Sequence, residues 1–237
     1  MTFRDRLIAT IAAARPVLET PDVLVVGSEV PNLLQPDFAA TLVVSQDLDI
    51  GVPVNRHDDV KQRLSQLLAD FAPSPDEPSV WTPRVPGLLE VNFVGIDPTR
   101  GPTDAYVLDD DRLPLLVFGA LSLVVAGAEV TIAATRVRLP RPSGLILEKL
   151  VTDRTGEKGD RDLLVALGLL ITTGPADLDE LGATYRGLDR ETRHAVRSNL
   201  TVLSLLDARA GMPDPHPQRA LVAGLLRRLD SIEQEAT

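Results

Sequence analysis

Apolar and polar residues alternate along this chain in two rhythms, and the rhythm changes near its middle. Phe3, Leu7, Ile11, Ala14 and Leu18 recur at helical spacing, which predicts an amphipathic helix over 2–16 that ends near Pro16. "DVLVVG", 22–27, is a short continuous apolar run and predicts a buried strand stopping at Gly27. After a loop or short helix, a second strand is expected over 40–50. "RHDDVKQRLSQLLADF", 56–71, places Val60, Leu64, Leu67, Leu68 and Phe71 on one side and predicts a helix. The proline-rich stretch 72–87 predicts loop with at most a brief strand. "LLEVNFVGID", 88–97, alternates and predicts a strand. A loop containing "PTRGPTD" follows, and then apolar strands over 113–139.

At "RLPRPSG" the period switches. Pro140 and Pro142 end the strand-rich part, and Ser143 is placed to cap a helix, "GLILEKLVTDR". A polar break, "TGEKGD", leads to a second helix, "RDLLVALGLLITT". Helices are then expected at 176–183, 189–209 and 217–235. The prediction is an α+β chain: a mixed sheet with flanking helices, then a helical C-terminal region. A boundary near Pro140–Pro142 divides it into 1–140 and 141–237, and the two parts are free to share one core.

Composition changes this picture little. The 237 residues are 44% apolar but only 3% aromatic, so Leu, Val, Ile and Ala must fill the core. The net charge of -10 gives no general attraction for phosphate backbones, so a nucleic-acid partner would need a local basic patch. There is no cysteine, which excludes disulfides and thiolate metal sites. The start of the chain loosely imitates a signal peptide, but its spacing suits an amphipathic helix better. The apolar run 113–134 is interrupted by Pro114, Gly119, Gly127 and Glu129, so buried strands are expected rather than a membrane span. The expectation is a soluble, cytoplasmic protein without a membrane partner.

The chemistry concentrates in "LVVSQDLDIGVPV", 42–54. Alternate strand residues share a face, so Asp47 and Asp49 point one way while Leu48 and Ile50 point to the core. Two adjacent carboxylates repel unless a cation lies between them, and Mg²⁺ takes a few protein oxygens while leaving room for phosphate and water. Alone, a D-x-D is more often the solvated end of a strand. Two further segments add to it. Gly27–Ser28 follows a buried strand, where glycine permits close backbone approach to a ligand and serine offers a donor. Glu90 shares a strand face with Asn92, and an acid there reaches toward the same cation.

Gly-Ser after a strand, D-x-D on the next, and one acid on a later strand together resemble the nucleotidyltransferase fold of the polymerase β kind. "SQDLDI" is similar to the T/S-x-D-I-D motif of the AbiEii-like nucleotidyltransferases, a family that includes type IV toxin–antitoxin toxins. "LILEKLVTDRTGEKGDRDLLVALGLL" is similar to that family's later signature. The resemblance covers roughly 20–170. It implies a nucleotidyltransferase-type sheet and a two-metal Mg²⁺ site at Asp47, Asp49 and Glu90, which would be the catalytic residues. It implies that Gly27, Ser28, Lys149 and Asp162 bind nucleotide, and that Arg154, Lys158 and Asp160 line the nucleotide or acceptor side. The implied reaction moves a nucleoside monophosphate from a nucleoside triphosphate to a hydroxyl on RNA, protein or a small molecule. The family also implies an antitoxin as a partner. Glu29 directly after Ser28, Val43 in a place where the family often has arginine, and the interrupted Lys158–Gly159–Asp160 keep a second reading open. In it, the fold serves as a catalytically impaired nucleotide-binding or protein-interaction module.

Overall fold

The computed structural model describes residues 1–34, 47–152, 156–208 and 214–235, with the side chains of 156–158 outside that description. The chain begins with helix α1 (Phe3–Ala13). The Thr2 hydroxyl accepts from the Asp5 amide while the Asp5 carboxylate accepts from the Thr2 amide, a reciprocal cap on α1. Its buried stripe is Leu7, Thr10 and Ile11. Helix α2 (Arg15–Leu18) carries Pro16 in its first turn, where a missing N–H costs nothing. Strand β1 (Leu24–Val26) leads through a 3-10 turn, Gly27–Glu29, into α3 (Val30–Leu34).

The next described element, β2 (Asp47–Pro53), runs further than the 40–50 expected, and both acids stand at its described beginning; residues 40–46 of the expected strand lie outside the described residues. The helix expected over 56–71 is broken up. It becomes α4 (His57–Arg63), a 3-10 turn over Leu64–Leu67, and then β3 (Phe71–Pro73). The proline-rich stretch holds β3 and also β4 (Val80–Pro83), paired antiparallel. Prolines stand at the ends of these strands, where a missing donor is tolerated. Strand β5 (Glu90–Ile96) follows, then β6 (Ala105–Leu108) inside the expected loop region, β7 (Leu115–Phe118), β8 (Ala126–Ile132) and β9 (Thr135–Pro140).

Among the described residues seven strands form one mixed sheet in the order β1-β2-β5-β4-β3, with β7 also on β5 and β6 on β7. β2 lies parallel to β5, and β5 parallel to β7; the other pairs are antiparallel. β8 and β9 make a separate hairpin whose two turn residues, Ala133 and Ala134, both have positive φ (48° and 61°).

The helical part begins at α5 (Pro142–Val151), with proline in its first turn and Ser143 buried within it rather than capping it. α6 (Gly156–Thr172) starts several residues earlier than expected and takes in Asp160 and Asp162. α7 (Pro175–Gly187), α8 (Arg190–Leu205) and α9 (Arg219–Glu235) complete the chain. Helix α8 is capped by Asp189, whose carboxylate accepts from the Thr192 amide. One apolar cluster extends through both parts, from Leu7, Ile50 and Phe93 to Leu145, Leu167, Tyr185 and Leu229. α5 packs on the 3-10 turn after β7, and α6 packs on α3 and on the Gly27–Glu29 turn. Among the described residues no helix is long and apolar enough to cross a membrane.

Candidate functional site

Asp47 and Asp49 project from β2 on the partly exposed face, while Leu48 and Ile50 are fully buried on the other. Register then decides what surrounds them. On the parallel neighbour β5, Asp47 stands opposite Glu90 and Asp49 opposite Asn92. On the antiparallel neighbour β1, Asp49 stands opposite Val26, the residue before Gly27. Three strands therefore bring the turn, the two acids and the later acid to one end of the sheet.

Gly27 is there for a steric reason. Its φ is +83°, and a Cβ at this position would come 2.1 Å from Oδ2 of Asp49. Only glycine lets the turn close down on the carboxylate. Ser28 and Glu29 follow in the same turn. The Ser28 hydroxyl donates to Oε1 of Glu29 (3.4 Å), and the Asn32 amide donates to Oε2 (3.2 Å). Glu29 is 1% exposed, so its charge is folded beneath the turn toward α3. Glu29, directly after Ser28 in the sequence, is thus held against Ser28 and Asn32.

Asn92 links the two acids. Its Nδ2 donates to Oδ2 of Asp47 (2.7 Å) and to Oδ1 of Asp49 (3.3 Å). Burial, and then the neighbouring Asp47, push the Asp49 carboxyl up to about 6, although the Lys149 charge and the Asn92 amide pull it down. Glu90 is exposed on the rim of the same face, two residues before Asn92.

Lys149 comes from α5 and is only 8% exposed. Its Nζ lies 3.0 Å from Oε2 of Glu148 and 3.7 Å from Oδ1 of Asp162 on α6. Burial pulls the ammonium down, but Glu148, Asp162 and Asp49 together hold it above its ordinary value. Lys149 is thus a fixed positive charge beneath the acids. The approach of α5 depends on Gly144, where a Cβ would come 2.1 Å from the Leu123 carbonyl oxygen.

The structure thus gathers Asp47, Asp49, Gly27, Ser28, Lys149 and Asp162, with Glu90 at the rim. Val43, Arg154 and the Lys158 side chain lie outside the described residues. Asp160 lies inside α6. Asn92 and Glu148 had no assigned role in the sequence. The available signal for Asn92 was its place two residues after Glu90, on the same strand face. For Glu148 there was none, because an acid in an apolar helix is visible only once its partner Lys149 is placed. Among the described residues, no three His, Cys, Asp or Glu side chains are gathered as a metal cage.

No family model matches the chain, and no curated protein matches it. Two solved structures have a similar outline. One is an antigenic nucleotidyltransferase-like protein from Paracoccidioides brasiliensis, with 17% identity, a TM-score of 0.48, and coverage of 81% of this chain and 93% of that one. The other is JHP933 from Helicobacter pylori, with 14% identity, a TM-score of 0.40, and coverage of 96% and 92% respectively.

Proposed function

We propose that the protein is a Mg²⁺-dependent nucleotidyltransferase that moves a nucleoside monophosphate from a nucleoside triphosphate to a hydroxyl acceptor. The observation that carries this reading is the pairing of Asp47 and Asp49 on one sheet face, closed on one side by the Gly27 turn and backed by the buried Lys149 charge.

The residues fit a hard divalent cation. The donors are oxygens, two carboxyl groups stand side by side, and an amide N–H₂ already lies between them where positive charge is favoured. Asp47 and Asp49 would hold the ion. When bound, it would polarise the phosphate oxygens and the attacking hydroxyl. The Gly27–Ser28 turn gives the triphosphate close backbone approach, once the Ser28 hydroxyl turns from Glu29 to a phosphate oxygen. Lys149, with Asp162 and Glu148 fixing it, offsets negative charge from below. Glu90, exposed opposite Asp47, accepts the proton of the acceptor hydroxyl. A bond forms from that oxygen to the α-phosphorus as the α–β phosphoanhydride bond breaks, and pyrophosphate leaves.

The motif order favours an AbiEii-like enzyme with RNA, protein or a small molecule as acceptor, and a cognate antitoxin. A nucleotide-binding module without catalysis is the competing reading, and one experiment separates the two. Melting is followed with Mg²⁺ and ATP, GTP, CTP or UTP. A ligand at about 100 times its Kd adds about 2.7 kcal/mol of stability. The Asp47→Asn, Asp49→Asn double variant should lose the Mg²⁺-dependent part of the shift. Transfer of labelled nucleotide to an RNA or protein extract marks the enzyme, and a shift without transfer marks the module. No shift with any nucleotide would sink both.

A further inference from the structure

The two acids of β2 have a third companion that supplies oxygen rather than charge. Asn92 stands directly opposite Asp49 in the β2–β5 register, and its Nδ2 reaches both carboxyl groups. Its Oδ1 is in the opposite condition: buried, with no hydrogen-bond partner. A buried amide oxygen without a partner is costly. The amide therefore satisfies the carboxylates at the expense of its own acceptor.

A half-turn of the amide about its last side-chain bond exchanges these atoms. Oδ1 then lies beside the Asp47 and Asp49 oxygens, and N–H₂ takes the place that Oδ1 left. Without a cation this turn is forbidden, because it would set three oxygens against one another. With a divalent cation between the carboxylates it is favoured, because amide oxygens are ordinary ligands of hard cations and donors are not. Among the described residues no third His, Cys, Asp or Glu joins the two acids as a cage. The amide oxygen is the protein donor already in place.

We propose that Asn92 is a cation ligand of this site. Its amide braces Asp47 and Asp49 while the site is empty of metal, and turns over to present Oδ1 when a divalent cation enters. Glu90, further out on the rim, is left for the acceptor hydroxyl. The inference rests on the cation-dependent reading of the site given above.

The test is Mn²⁺ binding to the full chain without nucleotide, read from the free-ion electron paramagnetic resonance signal. Asn92→Leu keeps the side-chain volume and removes both polar atoms, and Asn92→Ala serves if that variant does not fold. The expected result is Mn²⁺ affinity at least about tenfold weaker than wild type, with Asn92→Asp binding at least as tightly as wild type. An affinity that is unchanged or tighter in the leucine or alanine variant overturns the proposal, because a mere brace competes with the cation and its removal would help binding. A second readout needs no variant. Protein labelled with ¹³C at the asparagine side-chain carbonyl should show one strongly coupled ¹³C in electron–nuclear double resonance of bound Mn²⁺. No such coupling overturns the ligand role alone. A wild-type chain that binds no Mn²⁺ overturns this proposal together with the functional reading beneath it.

Discussion

Asparagine at position 49 should make the metal-free protein more stable, and by an amount that grows with pH. The Asp49 carboxyl stands at about 6 in the folded chain against an ordinary 3.8, raised by burial and then by Asp47. A difference of about two units corresponds to about 3 kcal/mol. Asp49 keeps part of its surface in water, which reduces the effect to about 2 kcal/mol. The sign follows from proton counts. Below about pH 4 the carboxyl is protonated whether the chain is folded or not, and nothing is lost. Between about 4 and 6 the unfolded chain releases the proton and the folded chain keeps it, so stability falls as pH rises. Above about 6 the loss is complete. Asp49→Asn has no such proton, and its Oδ1 can still accept from Asn92. The assay is urea unfolding of both proteins in EDTA from pH 4.5 to 8, because a divalent cation would mask the repulsion. Taking the difference between the two proteins cancels the titrating groups that are remote from Asp49. About a third of the effect lies below pH 4.5, so the variant's advantage should rise by about 1.3 kcal/mol across the range. A flat difference, or one that shrinks with rising pH, would refute the account of Asp49.

Four further outcomes follow from the same geometry. Gly27→Ala should lower the melting temperature by about 5 °C, since it adds left-handed backbone strain to a clash with Asp49, and should blunt the response to Mg²⁺ in the same melts. Lys149→Met removes the buried cation beside Glu148, and should cost about 3–5 kcal/mol by urea unfolding. Ala133→Asn with Ala134→Gly matches residue to backbone in the β8–β9 turn, and should add about 1 kcal/mol by the same measurement. Nucleoside triphosphate in EDTA should give no melting shift at concentrations that stabilise the protein with Mg²⁺; an equal shift would place the nucleotide away from Asp47 and Asp49.

Which parts of this could be read along the chain depends on how local their causes are. The alternation through "DLDI" and "EVNF" is local, and Leu48, Ile50, Val91 and Phe93 are buried as it implied. The 56–71 segment misleads because its apolar spacing serves two structures: Val60, Leu64 and Leu67 suit a helix, yet Phe71 begins β3 and is buried from there. The β8–β9 turn has neither glycine nor asparagine, so Ala133–Ala134 carries no turn signal, and pairing of the two strands forces the positive φ. Asp47, Asp49 and Gly27 were visible as a pattern, but the bond from Asn92 to both acids depends on parallel register between strands about forty residues apart. No local rule gives that register.

Charge balance explains why so costly an arrangement fits inside a folded domain. Among the described residues, the buried Lys149 ammonium on α5 stands beside Glu148 and Asp162 and acts on Asp49, which Asp47 adjoins. Asp47 and Asp49 share a strand that the apolar cluster holds firmly, so they cannot move apart to relieve repulsion. The site instead relieves it partially, by keeping the proton of Asp49 to about pH 6 and by placing the Asn92 amide between the acids. Both are weak substitutes for a cation, and both can be withdrawn: a proton leaves and an amide turns. An arrangement built only for stability would have replaced Asp49 by an apolar residue, as Ile50 and Leu48 show the strand can accept. Keeping two carboxyl groups side by side on β2, at this cost, is what the proposed binding of a divalent cation would require.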